Sequence, residues 1–140
     1  MSHAQGEVSS ELDMLSCELL GDAFDRLADA QDVNVLLVTQ NGSGEVTPYE
    51  FAEDGAEACL QGAHEKVREL GEACELYALC YEGSVDAEGD GVYHDAVILE
   101  FGQRGWPTYS AYSLFQGKGA GEQFAWADPQ PAGELESLFS

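Results

Sequence analysis

The stretch DAEGDG (86–91) puts acids at alternate positions, Asp86, Glu88 and Asp90, with Gly91 behind them. Calcium takes six to eight oxygen ligands, and an EF-hand loop supplies them from positions 1, 3, 5, 7, 9 and 12, with glycine at 6. Counted from Asp86, the first three acids and the glycine fit that pattern. Position 9 is His94, a poor calcium ligand, and position 12 is Val97, where a bidentate glutamate belongs. The flanking segments read as strands rather than helices. An EF-hand is excluded on those grounds. Two readings of the hexapeptide remain: a partly hydrated cation site on Asp86, Glu88 and Asp90, and a solvated turn at a hairpin tip, which is the expectation.

Other chemistry-bearing residues fall short of a motif. GKGAG (117–121) has glycines and a lysine, but a phosphate-binding loop needs Gly-Lys-Ser/Thr opening a helix, and Lys118 is followed by Gly119. His94 and Glu100 lie on one face of their strand but are six residues apart, near 20 Å in extended chain, so they cannot pair within it. His94 and Asp95 point to opposite faces. His64 falls at the edge of a helix, and His3 lies in an N-terminal stretch (1–8) expected to be mobile. There is no G-x-S-x-G elbow, and Ser43 sits in a glycine turn. The cysteines, Cys17, Cys59, Cys74 and Cys80, are separated by 42, 15 and 6 residues, without the close pairs of a zinc site. They read as buried thiols, Cys59 and Cys80 most clearly, from their apolar neighbours. No catalytic residue and no cofactor are expected.

The elements that position these residues follow from periodicity. Ser10 and Asp13 resemble a capping box, and Leu12, Leu15, Leu19, Ala23 and Leu27 share one helical face, which predicts a helix over 10–30. VNVLLVTQ (33–40), a turn at 41–44 and EVTPYEF (45–51) predict a hairpin, with Pro48 marking the second strand as an edge. Ala56, Leu60, Ala63, Val67 and Leu70 predict a helix over 54–71, with its charged residues on a solvated face. Strands are predicted at 75–82, 92–101 and 107–116, with a further one possible at 122–127, and the proline-bearing tail 128–140 could dock on the body. The order α-β-β-α-β-β-β, with short connections, predicts a single α+β domain with a mostly antiparallel sheet. Roadblock- and profilin-like modules share that order, by analogy only. In 75–82, Leu76, Ala78 and Cys80 face one side and Tyr77, Leu79 and Tyr81 the other, so both faces need cover. Either the helices split between the faces, or the tail or a second copy of the chain covers one, as in a homodimer.

Five basic residues against 27 acidic ones give 5 − 27 = −22 over 140 residues. That charge repels nucleic acid and anionic membranes and attracts cations or basic proteins. The sequence MSHAQGEVSSELDM carries neither a basic nor an apolar leader region, so no signal peptide and a cytoplasmic location are expected. Aromatics concentrate in the three-strand region, and Tyr77, Tyr81, Trp106 and Tyr112 are candidates for an interaction surface. The motifs YALCYEG (77–83), DAVILEFGQRG (95–105) and PAGELESLF (131–139) resemble parts of an uncharacterised family of small bacterial proteins. In that family a Tyr-Ala-Leu-x-Tyr-x-Gly strand pairs with an Asp-Ala-Val strand and a Gly-Glu-x-Glu-x-Leu tail follows. The resemblance implies the hairpin and no catalytic activity. The residues together predict a non-enzymatic interaction module whose partner is a protein or a second copy of itself. An inhibitor or immunity role, with acid charge mimicking nucleic acid, is the speculative form. The alternative is a small-ligand or cation site near the 84–94 hairpin.

Overall fold

A computed structural model describes residues 9–138 other than 53, 54 and 87. The expectation of a mobile segment at 1–8, His3 included, lies outside the described residues, as does the last part of the tail motif. The chain is a mixed α+β fold of two helices and a curled antiparallel sheet. Helix α1 spans Ser10–Ala28 and α2 spans Ala56–Leu70. The strands are β1 (Val35–Gln40), β2 (Val46–Phe51), β3 (Leu76–Val85), β4 (His94–Gln103), β5 (Thr108–Gln116), β6 (Ala125–Trp126) and β7 (Gln130–Leu135). The sheet order is β2-β1-β3-β4-β5, with β6 and β7 both pairing β5.

Local chemistry sets the boundaries. The cap of α1 is Ser9 rather than Ser10: its side chain accepts a hydrogen bond from the Leu12 amide at 3.1 Å, satisfying one orphan donor of the first turn. At the other end, the GKGAG segment closes the helix, because the Gly119 amide donates to the Leu27 carbonyl at 2.8 Å. Gly119 has φ +80 and its Cα approaches Ala30 so closely that a Cβ would lie 3.1 Å from the Ala30 methyl. The segment is therefore a tied connection, not a loose one. Strand β2 pairs only with β1, so Pro48 does stand on an edge. Strand β7 was not expected, since Pro131 cannot donate to a ladder. The structure accommodates it at a register shift between Ser110 and Ala111.

The helices split between the two faces of the sheet. Leu12, Leu19, Ala23 and Leu27 of α1 pack on Leu36, Ala78, Cys80, Val97 and Leu99. Cys59, Ala63 and Val67 of α2 pack on the opposite side, with Val35, Leu37, Tyr77 and Leu79, and Leu138 of the tail joins them. Cross-strand register confirms the division, because directly opposed residues share a face. Tyr77 opposes Gly102, Leu79 opposes Glu100, and Tyr81 opposes Ile98. A second subunit is not needed to cover the sheet beneath α2. Three cysteines, Cys59, Cys74 and Cys80, are buried; Cys17 is exposed on α1, contrary to its expected burial.

Candidate functional site

Strand β4 carries an acid in an apolar run, VILEF, and alternation turns that acid inward. Glu100 is 8 % exposed. A carboxylate there must find hydrogen-bond partners, because burying it unpaired is far more costly than burying a neutral polar group. The Tyr77 hydroxyl donates to Glu100 Oε2 at 2.6 Å. His64 Nε2 lies 2.8 Å from Glu100 Oε1. Both carboxylate oxygens are thus engaged, one by the neighbouring strand and one by α2. Burial, then the adjacent Glu100 charge, holds the Tyr77 phenol far above its ordinary titration range, so it is a permanent donor. The arrangement is a clamp of helix to sheet.

Glycine makes room for this clamp. A Cβ on Gly102, opposite Tyr77, would meet Thr108 Oγ1 at 2.7 Å and Tyr77 Cε1 at 3.0 Å. From sequence, Glu100 was weighed only against His94, which is exposed on the same strand and too far along it to pair. The actual partner, His64, arrives from a helix 36 positions away. A single acid inside an apolar strand, with a histidine on the inner edge of an amphipathic helix, was the signal available.

Helix α2 contacts chiefly β1 and β2, and the same face of the sheet continues beyond it onto β4 and β5. Tyr81, Ile98 and Tyr112 oppose one another across β3, β4 and β5 and form one row, each partly exposed. Burial, and secondarily the Glu100 charge, raises the Tyr81 phenol above its usual range. Two of the four aromatic candidates, Tyr81 and Tyr112, are therefore brought together. The other two are not. Tyr77 is 0 % exposed and lies beneath α2, so it contributes to no surface. Trp106 stands in the turn after β4, six residues from Tyr112, or roughly 20 Å along the strand.

At the far end of the sheet, the hairpin tip and β6 enclose an open cleft of about 720 Å³, lined by Glu88, Tyr93, His94, Leu114, Phe115 and Trp126 among others. Tyr93 is 67 % and Trp126 54 % exposed. Trp126 is braced from behind by stacking on Phe24 of α1, with ring centroids 5.0 Å apart. The acids of DAEGDG do not converge on a common point. Asp86 accepts from the Asp90 and Gly91 amides at 3.1 and 2.9 Å, and Asp90 accepts from Val92 at 2.9 Å. These are turn-closing bonds of the kind Asx side chains make. No group of three metal-ligating side chains occurs among the described residues, and Asp86 and Asp90 are engaged in closing the turn.

The five cations are dispersed. Arg26 bridges Glu50 at 2.9 Å and Lys118 bridges Glu82 at 3.2 Å. Arg104 donates to the Gly71 and Cys74 carbonyls at 2.7 and 3.2 Å, and Lys66 sits 5.3 Å from the centre of the Tyr49 ring. No described helix is long and apolar enough to cross a membrane. Fold and site define a small acidic α+β domain with one clamped helix and an open aromatic sheet row. No protein-family model, curated protein or solved structure matches the chain.

Proposed function

We propose that the protein is a non-enzymatic interaction module whose open sheet row, Tyr81–Ile98–Tyr112, seats a basic protein partner. The observation that carries this reading is the row itself: two tyrosines flank an isoleucine in direct cross-strand register, with Tyr81 packed at the margin of the α2 cluster and Ile98 and Tyr112 outside it, each partly exposed. Partly exposed tyrosine rings suit a protein interface, because the side chain joins a large apolar ring to a polar tip. The net charge of −22 selects for a basic partner and opposes a second copy of the chain. Homodimerisation is accordingly the weaker form of the proposal. An inhibitor or immunity role, in which the acid surface stands in for nucleic acid before a basic target, is its narrower form. A relation to roadblock- and profilin-like modules, or to the small bacterial proteins whose motifs β3, β4 and the tail resemble, enters the proposal by analogy only, and neither assigns an activity. We propose a cytoplasmic setting, in which the four cysteines stay as thiols.

A photo-crosslinking residue placed at Tyr112, compared with one at Glu57 on the exposed side of α2, tests this in cells that make the protein. The expected result is one basic protein captured at Tyr112 and absent at Glu57. Equal capture at both positions, or capture of the chain by itself, refutes it. A second reading rests on the cleft around Tyr93, His94 and Trp126, whose concavity suits a small aromatic or cationic ligand. Quenching of Trp126 emission by such a ligand, lost in His94→Ala, would favour it.

A further inference from the structure

Helix α1 lies over β3, β4 and β1 and leaves the same face of β2 without a helix. A groove of about 680 Å³ runs through the vacant place. Its floor is Leu15, Leu19, Leu36 and Val38, and its outer wall is Val46 and Pro48 of β2. Val46 is 47 % exposed, although it opposes Gln40 on a face that is otherwise packed. The rim is acidic for a helical reason. Glu18, Asp22 and Asp25 fall at steps of four and three, so they form one stripe along the flank of α1 that borders the groove. Arg26 also lines the groove, but its guanidinium is engaged by Glu50 at 2.9 Å, which Asn34 holds at 2.8 Å. That bridge closes one end; a Gln40–Glu11 hydrogen bond at 3.1 Å spans from sheet to helix at the other.

We propose that this groove binds a basic amphipathic helix of a partner protein, lying alongside α1 and completing the helical layer. From Leu15 to Arg26 the groove follows α1 for about 16 Å, or three turns at 1.5 Å per residue. A helix of that length places apolar side chains at i, i+3, i+4 and i+7 on the floor, and its flanking Lys or Arg side chains meet Glu18, Asp22 and Asp25. An added strand fits less well. Pro48 removes a donor from the middle of β2, and the apolar surface lies on the face of the sheet, not along its edge. A second copy of the chain fits poorly as well, since a net charge of −22 on each copy sets like charge against like. The groove is separate from the sheet row proposed above, lying on the opposite face, so the two readings stand or fall independently.

The test uses a fluorescein-labelled helical peptide of about four turns, with leucine at i, i+3, i+4 and i+7 and lysine on both flanks, against a scrambled peptide of the same composition. Fluorescence anisotropy is read with the intact protein and with Asp22→Lys/Asp25→Lys, Val46→Glu and Tyr112→Ala. The expected result is binding of the patterned peptide at least about ten-fold tighter than the scrambled one, a loss of about ten-fold or more in the first two variants, and no change in Tyr112→Ala. Asp22, Asp25 and Val46 are all exposed, and unchanged thermal midpoints in the variants establish that they fold. Absence of binding by the patterned peptide, equal binding of both peptides, or a loss confined to Tyr112→Ala overturns the proposal. So does sedimentation of the wild type as a dimer that Asp22→Lys/Asp25→Lys dissociates, because the occupant is then a second copy.

Discussion

Replacing Tyr77 by phenylalanine removes one oxygen and leaves the ring that packs under α2. Glu100, 8 % exposed, then keeps His64 on Oε1 and loses the 2.6 Å donor on Oε2. A hydrogen bond to a charged group contributes roughly 1.5–3 kcal/mol, and a buried acceptor left without its donor costs about as much, so the substitution should destabilise by about 2 kcal/mol. For a small domain with a urea m-value of 1–3 kcal/mol per molar, that lowers the midpoint by roughly 1 M. Glu100→Leu removes the acid and both of its bonds. In the double variant Tyr77→Phe/Glu100→Leu the polar group that demanded a partner is gone, so the two costs should overlap, with a coupling of about 1–2 kcal/mol. Equilibrium unfolding in urea at neutral pH, followed by emission of the two tryptophans, measures all three differences. A Tyr77→Phe midpoint within about 0.2 M of wild type, or costs that simply add within about 0.3 kcal/mol, refutes the view that Glu100 clamps α2 to the sheet.

Three further outcomes follow from the same packing. Gly102→Ala forces a Cβ to within 2.7 Å of Thr108 Oγ1 and 3.0 Å of Tyr77 Cε1, and should cost roughly 1–3 kcal/mol in the same urea assay; an unchanged midpoint would contradict the close approach. An aromatic disulfide reagent should modify Cys17 alone in the native protein and all four thiols in denaturant, because Cys59, Cys74 and Cys80 are buried; more than one fast native thiol counts against this packing. Stability should fall as the solution is made alkaline. Burial raises the Cys74 thiol from 9.0 to about 11 and the Cys80 thiol from 9.0 to about 12, and the Tyr77 phenol also rises from 10.0. The unfolded chain therefore releases these protons first, so their contribution is whole below pH 9 and shrinks as pH climbs from 9 towards 12. Urea midpoints that stay level from neutral pH to about pH 10.5 would oppose it.

Helices and central strands were legible in the sequence because their apolar residues recur with the period of the element they form. The reading of 54–71 against the observed Ala56–Leu70 differs only at the ends, where Gly55 at φ +86 and the glycine at 71 break the helix. The strand at 92–101 was placed two residues early because Val92 and Tyr93 are apolar; both belong to the exposed hairpin tip. Strand β7 escaped notice because Pro129 and Pro131 argue against a ladder, and only the bulge on β5 reconciles them with one. The site was half legible. Periodicity put Tyr81 and Tyr112 on the right strands and Glu100 on one face of its strand without showing that it is buried, and alternation put Tyr77 on the face of Tyr81, where only knowledge of α2's position shows it to be buried. Which helix covers which face is a long-range fact that periodicity does not contain.

The split of the helices across the sheet also shapes how the chain is made. Helix α1 is synthesised first, yet its main packing partners are β3 and β4, and β3 begins 76 − 28 = 48 residues after α1 ends. At about 5–20 residues per second, the leucine face of α1 waits roughly 2–10 s on the ribosome before Leu76, Ala78 and Cys80 emerge to cover it. Through that interval the nascent helix has β1 for shelter and an acidic flank to keep neighbouring chains at a distance. Slowing translation between α2 and β3 would lengthen that exposure, and faster elongation would shorten it.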